Sequence, residues 1–212
     1  MMIRILLLII GYCCGLIETG YWYGKIKGID IRKEGSGNSG ATNSLRVMGK
    51  KAGLIVFLGD VLKCLIPCLI VLFVFKQKES GNAYLYMLYT ATGVILGHNY
   101  PCYMNFKGGK GIACTAALIL MLDWRTTLVC LVLFVVTVAI TRFVSLGSLL
   151  VVTAFFIMSV CFTQQGAYQL NASVRMEFCT VILFLTVLAY WRHRANIVRL
   201  LHGTENKIGA KK

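Results

Sequence analysis

The sequence predicts an all-α integral membrane protein: a seven-transmembrane-helix bundle with its functional loops on the cytoplasmic side. Three observations predict it. Hydrophobic residues make up 58% of the 212 residues and charged residues 14%, with a mean hydropathy of +0.73. A soluble domain is about 45–50% apolar and about 25% charged. One core cannot hide that excess, since a domain of this length still shows much of its surface to solvent, so that solvent must largely be lipid. Apolar runs recur along the whole chain, and Lys and Arg gather in alternate polar segments. This composition excludes a soluble globular enzyme, a disordered chain and a secreted disulfide scaffold. A single integral membrane domain, 1–212, is expected.

The first run, Ile5–Tyr23, follows Arg4 as a signal peptide would, but Cys13-Cys14 is a poor cleavage region. Tyr21-Trp22-Tyr23 suits an interfacial belt, so the run reads as a retained helix. Further runs are Ala52–Phe75, Ala83–Gly97, Ile112–Leu122, Thr126–Ile140, Ser148–Phe162 and Met176–Trp191. Several fall short of the roughly 17–25 residues that a spanning helix needs, so their ends must extend into polar flanks or the helices must be short. Asp123-Trp124-Arg125 is either a tight turn between two helices or a polar kink in one. Nine cysteines, mostly in apolar runs, form no C-x-x-C pair, and no metal site is expected.

Seven helices sort the charge. Segments 24–51, 99–111, 141–147 and 192–212 carry 16 Lys and Arg, while the opposite face carries five: Arg4, Lys76, Lys78, Arg125 and Arg175. The positive side is cytoplasmic, which puts the N-terminus outside and the C-terminus inside. Arg192, Arg194, Lys211 and Lys212 read as topology and lipid-headgroup charges. The net charge of +14 also suits an anionic substrate. Nucleic acid is not expected, because the basic residues form no continuous arm.

Two glycine-rich segments stand on that face. The first, Gly35-Ser36-Gly37-Asn38-Ser39-Gly40-Ala41-Thr42-Asn43 with Arg46, combines a pliable backbone with hydroxyl and amide donors. Thr42 or Asn43 would cap a helix whose N-terminus attracts an anion. Arg46 would grip phosphate with paired hydrogen bonds. The bland alternative is a flexible linker. The second segment runs from His98 to Lys107-Gly108-Gly109-Lys110-Gly111 and reads as a phosphate nest or a basic surface turn. It is not a nucleotide-hydrolysis loop, because Met104 and Gly111 occupy the positions that need Gly and Ser or Thr.

Ser145 and Ser148, near Arg142, open a helix as substrate ligands or as ordinary caps. His193, Asn196 and Arg199 recur at spacing three, on one face of a helix leaving the last span. Glu18, Asp60 and Lys63 fall in apolar surroundings and need partners; Asp60 and Lys63 lie one turn apart and can pair.

At these residues the chain resembles the bacterial acyl-phosphate:glycerol-3-phosphate acyltransferases. The matching stretches are SGNSGATNSLRVMGKKAG at 36–53, GHNYPCYMNFKGGKGIA at 97–113, TRFVSLGS at 141–148 and HRANIVRLLHGTENK at 193–207. The resemblance implies a seven-helix bundle of the bacterial inner membrane with a cytoplasmic active site. It implies transfer of a fatty acyl group from acyl phosphate to the 1-hydroxyl of glycerol 3-phosphate, without a cofactor. Ser36, Arg46, His193 and Asn196 would then be catalytic. Asn38, Thr42, Asn43, His98, Lys107, Gly108–Gly111, Ser145 and Ser148 would bind substrate, and Glu205 would be mainly structural. The chain departs from the family's pattern at three places: Leu16-Ile17-Glu18-Thr19 replaces a small-residue and proline turn, and Cys64 and Cys114 replace Gly and Thr.

The chemistry fits this inventory. An acyl phosphate is already activated, so the protein must align two phosphate-bearing substrates and screen their repulsion. The acyl chain can lie between helices, where membrane lipids also pack. The His-then-Asp-at-five pattern of another acyltransferase class is absent: Tyr103, Val198 and Lys207 follow the three histidines at that distance. No Ser/His/Asp constellation is recognisable, so direct transfer is expected, with His193 or a substrate phosphate accepting the hydroxyl proton. The alternative from a different class is a small organic-phosphate transporter, against which stands the lack of a duplicated half.

Overall fold

The computed structural model describes residues 1–209; Lys211 and Lys212 lie outside it. The described chain contains α1 (Met2–Gly15), α2 (Thr19–Ile26), α3 (Ala41–Met48), α4 (Lys50–Lys78), α5 (Ser80–Asn99), α6 (Ile112–Leu122), α7 (Trp124–Thr141), α8 (Val144–Gln164), α9 (Ala172–Arg192) and α10 (Arg194–Leu201). Two compact units divide it, Met1–Met121 and the chain from Leu122 onward.

Among the described residues, five segments are long and apolar enough to cross a membrane: Met2–Ile26, α4, α7, α8 and α9. As expected, most helices extend past their apolar runs into polar flanks. The two remaining expected spans are α5, with 20 residues, and α6, with 11. Most of α5 is buried inside the first unit, so it does not need the apolar surface that lipid demands. Its Thr90 and Thr92 hydroxyls donate to the Tyr86 and Leu88 carbonyls one turn back, at 3.0 and 2.8 Å. That removes the cost of burying them.

In the first unit α1 packs on α5 backbone to backbone. A β-carbon on Gly11 or Gly15 would run into the Thr90 or Val94 carbonyl, and one on Gly93 or Gly97 into the Leu8 or Tyr12 carbonyl. Without a hydrophobic drive between helices in lipid, small residues that allow this approach supply the packing. The Tyr12 hydroxyl donates to the Tyr100 carbonyl at 2.8 Å and fixes the end of α5.

The first apolar run is not one helix. It breaks at Leu16–Glu18, where a proline was absent from the sequence. The break frees carbonyls inside the membrane, and each must find a donor. Tyr103 donates its hydroxyl to the Leu16 carbonyl at 2.7 Å, and Lys63 donates to the Ile17 carbonyl at 2.8 Å. Side-chain donors, one exposed and one buried, thus hold the break in place of a proline. Cys64 is fully buried, and the Cys114 thiol on α6 donates to the Asp60 carbonyl on α4 at 3.3 Å.

In the second unit the chain leaves helical geometry at Asp123, which has extended backbone (φ −159°). Its carboxylate accepts from the Arg125 and Thr126 backbone N–H groups at 2.9 and 3.1 Å, capping α7. The kink in one long helix is therefore not seen: α6 and α7 are separate helices, interrupted at Asp123. Gly147 lets α8 approach Phe134 and Val138 of α7. Phe155, Phe178 and Ile182 bury the α8–α9 contact, and Tyr168 lies against Phe178 with ring centroids 5.3 Å apart. One flank of α7, including Leu128, Leu131, Val135 and Ile140, is exposed, as a lipid-facing surface requires.

Candidate active site

The candidate residues fall into two sets, one in each unit. In the first unit the loop before α3 is shaped by Asn43. Its Oδ1 accepts the Ser36 backbone N–H at 2.8 Å, while its Nδ2 donates to the Glu34 and Asn38 carbonyls, both at 3.0 Å, and to the Ile31 carbonyl at 3.4 Å. Every polar atom of that amide is committed, so Asn43 moulds the loop. Asn38 Oδ1 accepts the Gly40 N–H at 3.0 Å, and α3 starts from Gly40 with no side-chain cap. Neither Thr42 nor Asn43 caps α3; both lie inside its first turn. The folded loop leaves Ser36 exposed. Arg46, in the last turn of α3, is partly buried and has no hydrogen-bond or ion-pair partner among the described residues. Its planar fork is therefore uncommitted. Earlier in the same loop, the hydrogen bonds from Arg32 hold the Asp30 carboxyl down at about 2, so that carboxylate stays paired.

The glycine loop folds back on the end of α5. The Gly109 N–H donates to the His98 carbonyl at 3.0 Å and the Gly108 N–H to the Asn99 carbonyl at 3.2 Å. Those two amides are spent, so the expected nest does not use them. What the fold-back does is seat Lys107 and Lys110 just before α6. Gly111 has φ +79°, which favours glycine. At Gly109 the requirement is different: a β-carbon would overlap Nε2 of His98.

His98 itself is 2% exposed and belongs to a buried charge cluster. Its Nδ1 lies 2.7 Å from Glu18 Oε1 and 2.8 Å from Lys63 Nζ. Lys63 Nζ lies 3.0 Å from Asp60 Oδ1 and 3.4 Å from Glu18 Oε1. Ser39 donates to Glu18 Oε2 at 2.6 Å, and Thr19 donates to Asp60 Oδ1 at 3.2 Å. The expected Asp60–Lys63 pair exists, but within a larger network. The charge and the intramembrane setting flagged Glu18, Asp60 and Lys63 in the sequence. No linear signal joined them to His98 and Ser39, because the contacts span up to 80 positions. Breaking such a buried set by removing one partner costs about 3–5 kcal/mol.

In the second unit α9 stops at Arg192 and α10 begins at Arg194, with His193 at the joint. The single helix expected through 193–199 is thus interrupted. The His193 backbone N–H donates to the Ala189 and Tyr190 carbonyls, and its Nδ1 donates to the Ala189 carbonyl at 2.8 Å, orienting the ring. Asn196 Nδ2 and Arg199 Nε donate to the two oxygens of Glu205, both at 2.9 Å. Arg142, at φ +63°, donates Nε and one terminal nitrogen to the Ile208 carbonyl at 3.1 and 2.9 Å, while the Ile208 N–H returns to the Arg142 carbonyl at 2.8 Å. The C-terminal segment is therefore tied down at both Glu205 and Ile208. Ser148 bonds the Val144 carbonyl at 2.9 Å inside α8, and the buried Ser145 hydroxyl has no partner among the described residues.

The fold is that of an integral membrane protein built from apolar helices, with polar loops and a buried ionic core. The sequence pattern of the glycerol-3-phosphate acyltransferase family matches residues 5–203. A glycerol-3-phosphate acyltransferase of Clostridioides difficile (strain 630) is 41% identical over 210 residues, covering 98% of this chain and 97% of the relative. One from Thermotoga petrophila is 40% identical over 201 residues, covering 94% of each. Among solved structures, the glycerol 3-phosphate form of PlsY (YgiH), an integral membrane glycerol 3-phosphate acyltransferase, superposes with a TM-score of 0.81 at 33% identity, covering 97% of this chain and 96% of that one. The lysophosphatidic acid form gives 0.79 at 32%, covering 97% and 95%. The chain belongs to the glycerol-3-phosphate acyltransferase family.

Proposed function

We propose that this protein transfers a fatty acyl group from acyl phosphate to the 1-hydroxyl of glycerol 3-phosphate, giving lysophosphatidic acid and phosphate in phospholipid biosynthesis. The observation that carries the reading is the full-length similarity to a structure captured with each of two ligands. Glycerol 3-phosphate and lysophosphatidic acid differ by one acyl group, so one is the acceptor and the other its acylated product. The uncommitted Arg46 and the lysines of the glycine loop suit a reaction in which both substrates carry phosphate. The acyl-phosphate donor rests on the family resemblance of the motifs.

In this reading the whole chain, 1–212, acts as one seven-helix domain in the bacterial inner membrane. Its N-terminus lies outside, and its C-terminus and active-site loops face the cytoplasm. Ser36, Arg46, His193 and Asn196 are catalytic. The glycerol hydroxyl oxygen attacks the acyl carbonyl, the carbonyl carbon–phosphate oxygen bond breaks, and phosphate leaves with the electron pair. The hydroxyl proton passes to His193 or to a phosphate oxygen. Arg46 steadies the departing phosphate, where a preorganised cation is most effective, and Ser36 supplies a positioned hydrogen bond. No acyl-enzyme forms, because the donor is already activated.

The test is purified protein incubated with radiolabelled acyl phosphate, with acyl-CoA as a parallel donor. Labelled lysophosphatidic acid is expected only when glycerol 3-phosphate is present with acyl phosphate. Turnover with acyl-CoA alone would replace the donor. A second sample omits glycerol 3-phosphate and is quenched in acid; protein-bound label that is released to product on adding the acceptor would overturn direct transfer.

A further inference from the structure

The buried charge cluster includes neither Ser36 nor Arg46, yet its partners come from both glycine-rich segments. Glu18 is the junction. Its Oε2 accepts the Ser39 hydroxyl at 2.6 Å, in the first loop, and its Oε1 lies 2.7 Å from Nδ1 of His98, at the end of α5. His98 in turn holds Gly109 twice: its carbonyl accepts the Gly109 N–H at 3.0 Å, and its ring Nε2 lies where a Gly109 β-carbon would be. One carboxylate, fully buried, therefore ties the Ser36 loop to the loop that carries Lys107 and Lys110.

Lys63 and Asp60 determine where that carboxylate sits. The three ammonium hydrogens of Lys63 have acceptors in the Ile17 carbonyl at 2.8 Å, Asp60 Oδ1 at 3.0 Å and Glu18 Oε1 at 3.4 Å. Nδ1 of His98 lies within hydrogen-bond distance of both Glu18 Oε1 and Lys63 Nζ: it donates to the carboxylate when it carries the ring hydrogen and accepts from the ammonium when Nε2 does. Asp60 is held by Thr19 of α2 at 3.2 Å. The network thus draws on α2, α4, α5, the α1–α2 break and the first loop. All of these lie in the first unit. A group buried in this way has few alternative positions, because every shift would leave a charge unpaired.

We propose that Glu18 is a positioning residue for the reaction, fixing the spacing of the two glycine-rich loops through Ser39 and through His98 and Gly109. The Glu18→Gln side chain keeps the shape but loses the negative charge, which removes the ion pair with Lys63 and the charge assistance of the bonds to Ser39 and His98. The Ser39→Ala variant removes the first limb and leaves the ionic cluster intact.

This inference rests on the acyltransferase reading, and the experiment separates the two. Wild-type protein in detergent is titrated with glycerol 3-phosphate by calorimetry and assayed for transfer from acyl phosphate. Glu18→Gln, Ser39→Ala, Gly109→Ala and the Glu18→Gln/Gly109→Ala pair follow, each with its Tm. The expectation is a rise of about tenfold or more in the Kd and KM for glycerol 3-phosphate in Glu18→Gln, with a smaller change in kcat. The double variant should be little worse than the poorer single one, because both act through the seat of Gly109. Where Glu18→Gln fails to insert, Ser39→Ala carries the test, with a lesser rise in KM at unchanged Tm. A lowered Tm with unchanged Kd and KM, or additive effects in the pair, would make the cluster merely structural and overturn the proposal. Wild-type binding without transfer would overturn the acyltransferase reading and leave the binding comparison standing.

Discussion

At the scale of single residues the groups proposed to handle phosphate divide into committed and uncommitted ones. Arg46 is an uncommitted cation among the described residues. Arg46→Lys keeps the charge and loses the fork; turnover is expected to fall about 10- to 100-fold, the worth of one charged hydrogen bond, in protein that still inserts. Wild-type turnover with both substrates saturating would remove the bidentate role. Gly109→Ala should raise the KM for glycerol 3-phosphate, because the methyl group must displace either the His98 ring or the loop. Initial-rate kinetics on inserted protein check it, and an unchanged KM and kcat would reduce the loop to a surface turn. Arg46 and Ser36 were legible as candidates from residue type and spacing. The role of Asn43 was not, because a sequence names the amide but not the three carbonyls it reaches. The same holds for His98, which reads as a loop ligand and folds into an ion cluster.

At the scale of elements, helix identity followed from hydropathy, while helix ends and breaks followed from partners elsewhere. The interruption of the first run at Leu16–Glu18 depends on Tyr103 and Lys63, donors 40 to 90 positions away. The joint at His193 likewise separates α9 from α10, which spacing alone presents as one continuous helix. The C-terminal segment makes a further element-scale prediction. Glu205, 5% exposed in its side chain, accepts from both Asn196 and Arg199. Glu205→Ala should destabilise the protein by about 1.5–3 kcal/mol, the worth of its charge-assisted hydrogen bonds. Thermal unfolding in detergent measures this. Loss of activity at unchanged Tm would instead assign Glu205 a role in the chemistry.

At the scale of the whole molecule the prediction is topological. Introduced cysteines at Lys33 and Lys107, in a cysteine-reduced background, should react only with reagent on the cytoplasmic side, and one at Lys78 only from outside. Labelling of 33 and 107 from opposite faces would sink both the topology and the shared active-site face of the two loops. By itself the sequence determined the membrane environment, the order of the apolar helices and the family. All of these are set by composition and local pattern, since the transfer of apolar and charged groups between water and lipid depends on the residues present and little on their distant neighbours. Only the tertiary structure decided which polar groups are spent and which are left over. It joined Glu18, Ser39, Asp60, Lys63 and His98, spent the Gly108 and Gly109 amides on α5, and left the guanidinium of Arg46 unpaired. The physical reason is that a polar group in a membrane protein must be satisfied by whatever the fold brings within about 3 Å, and that distance is set by helix packing rather than by position along the chain.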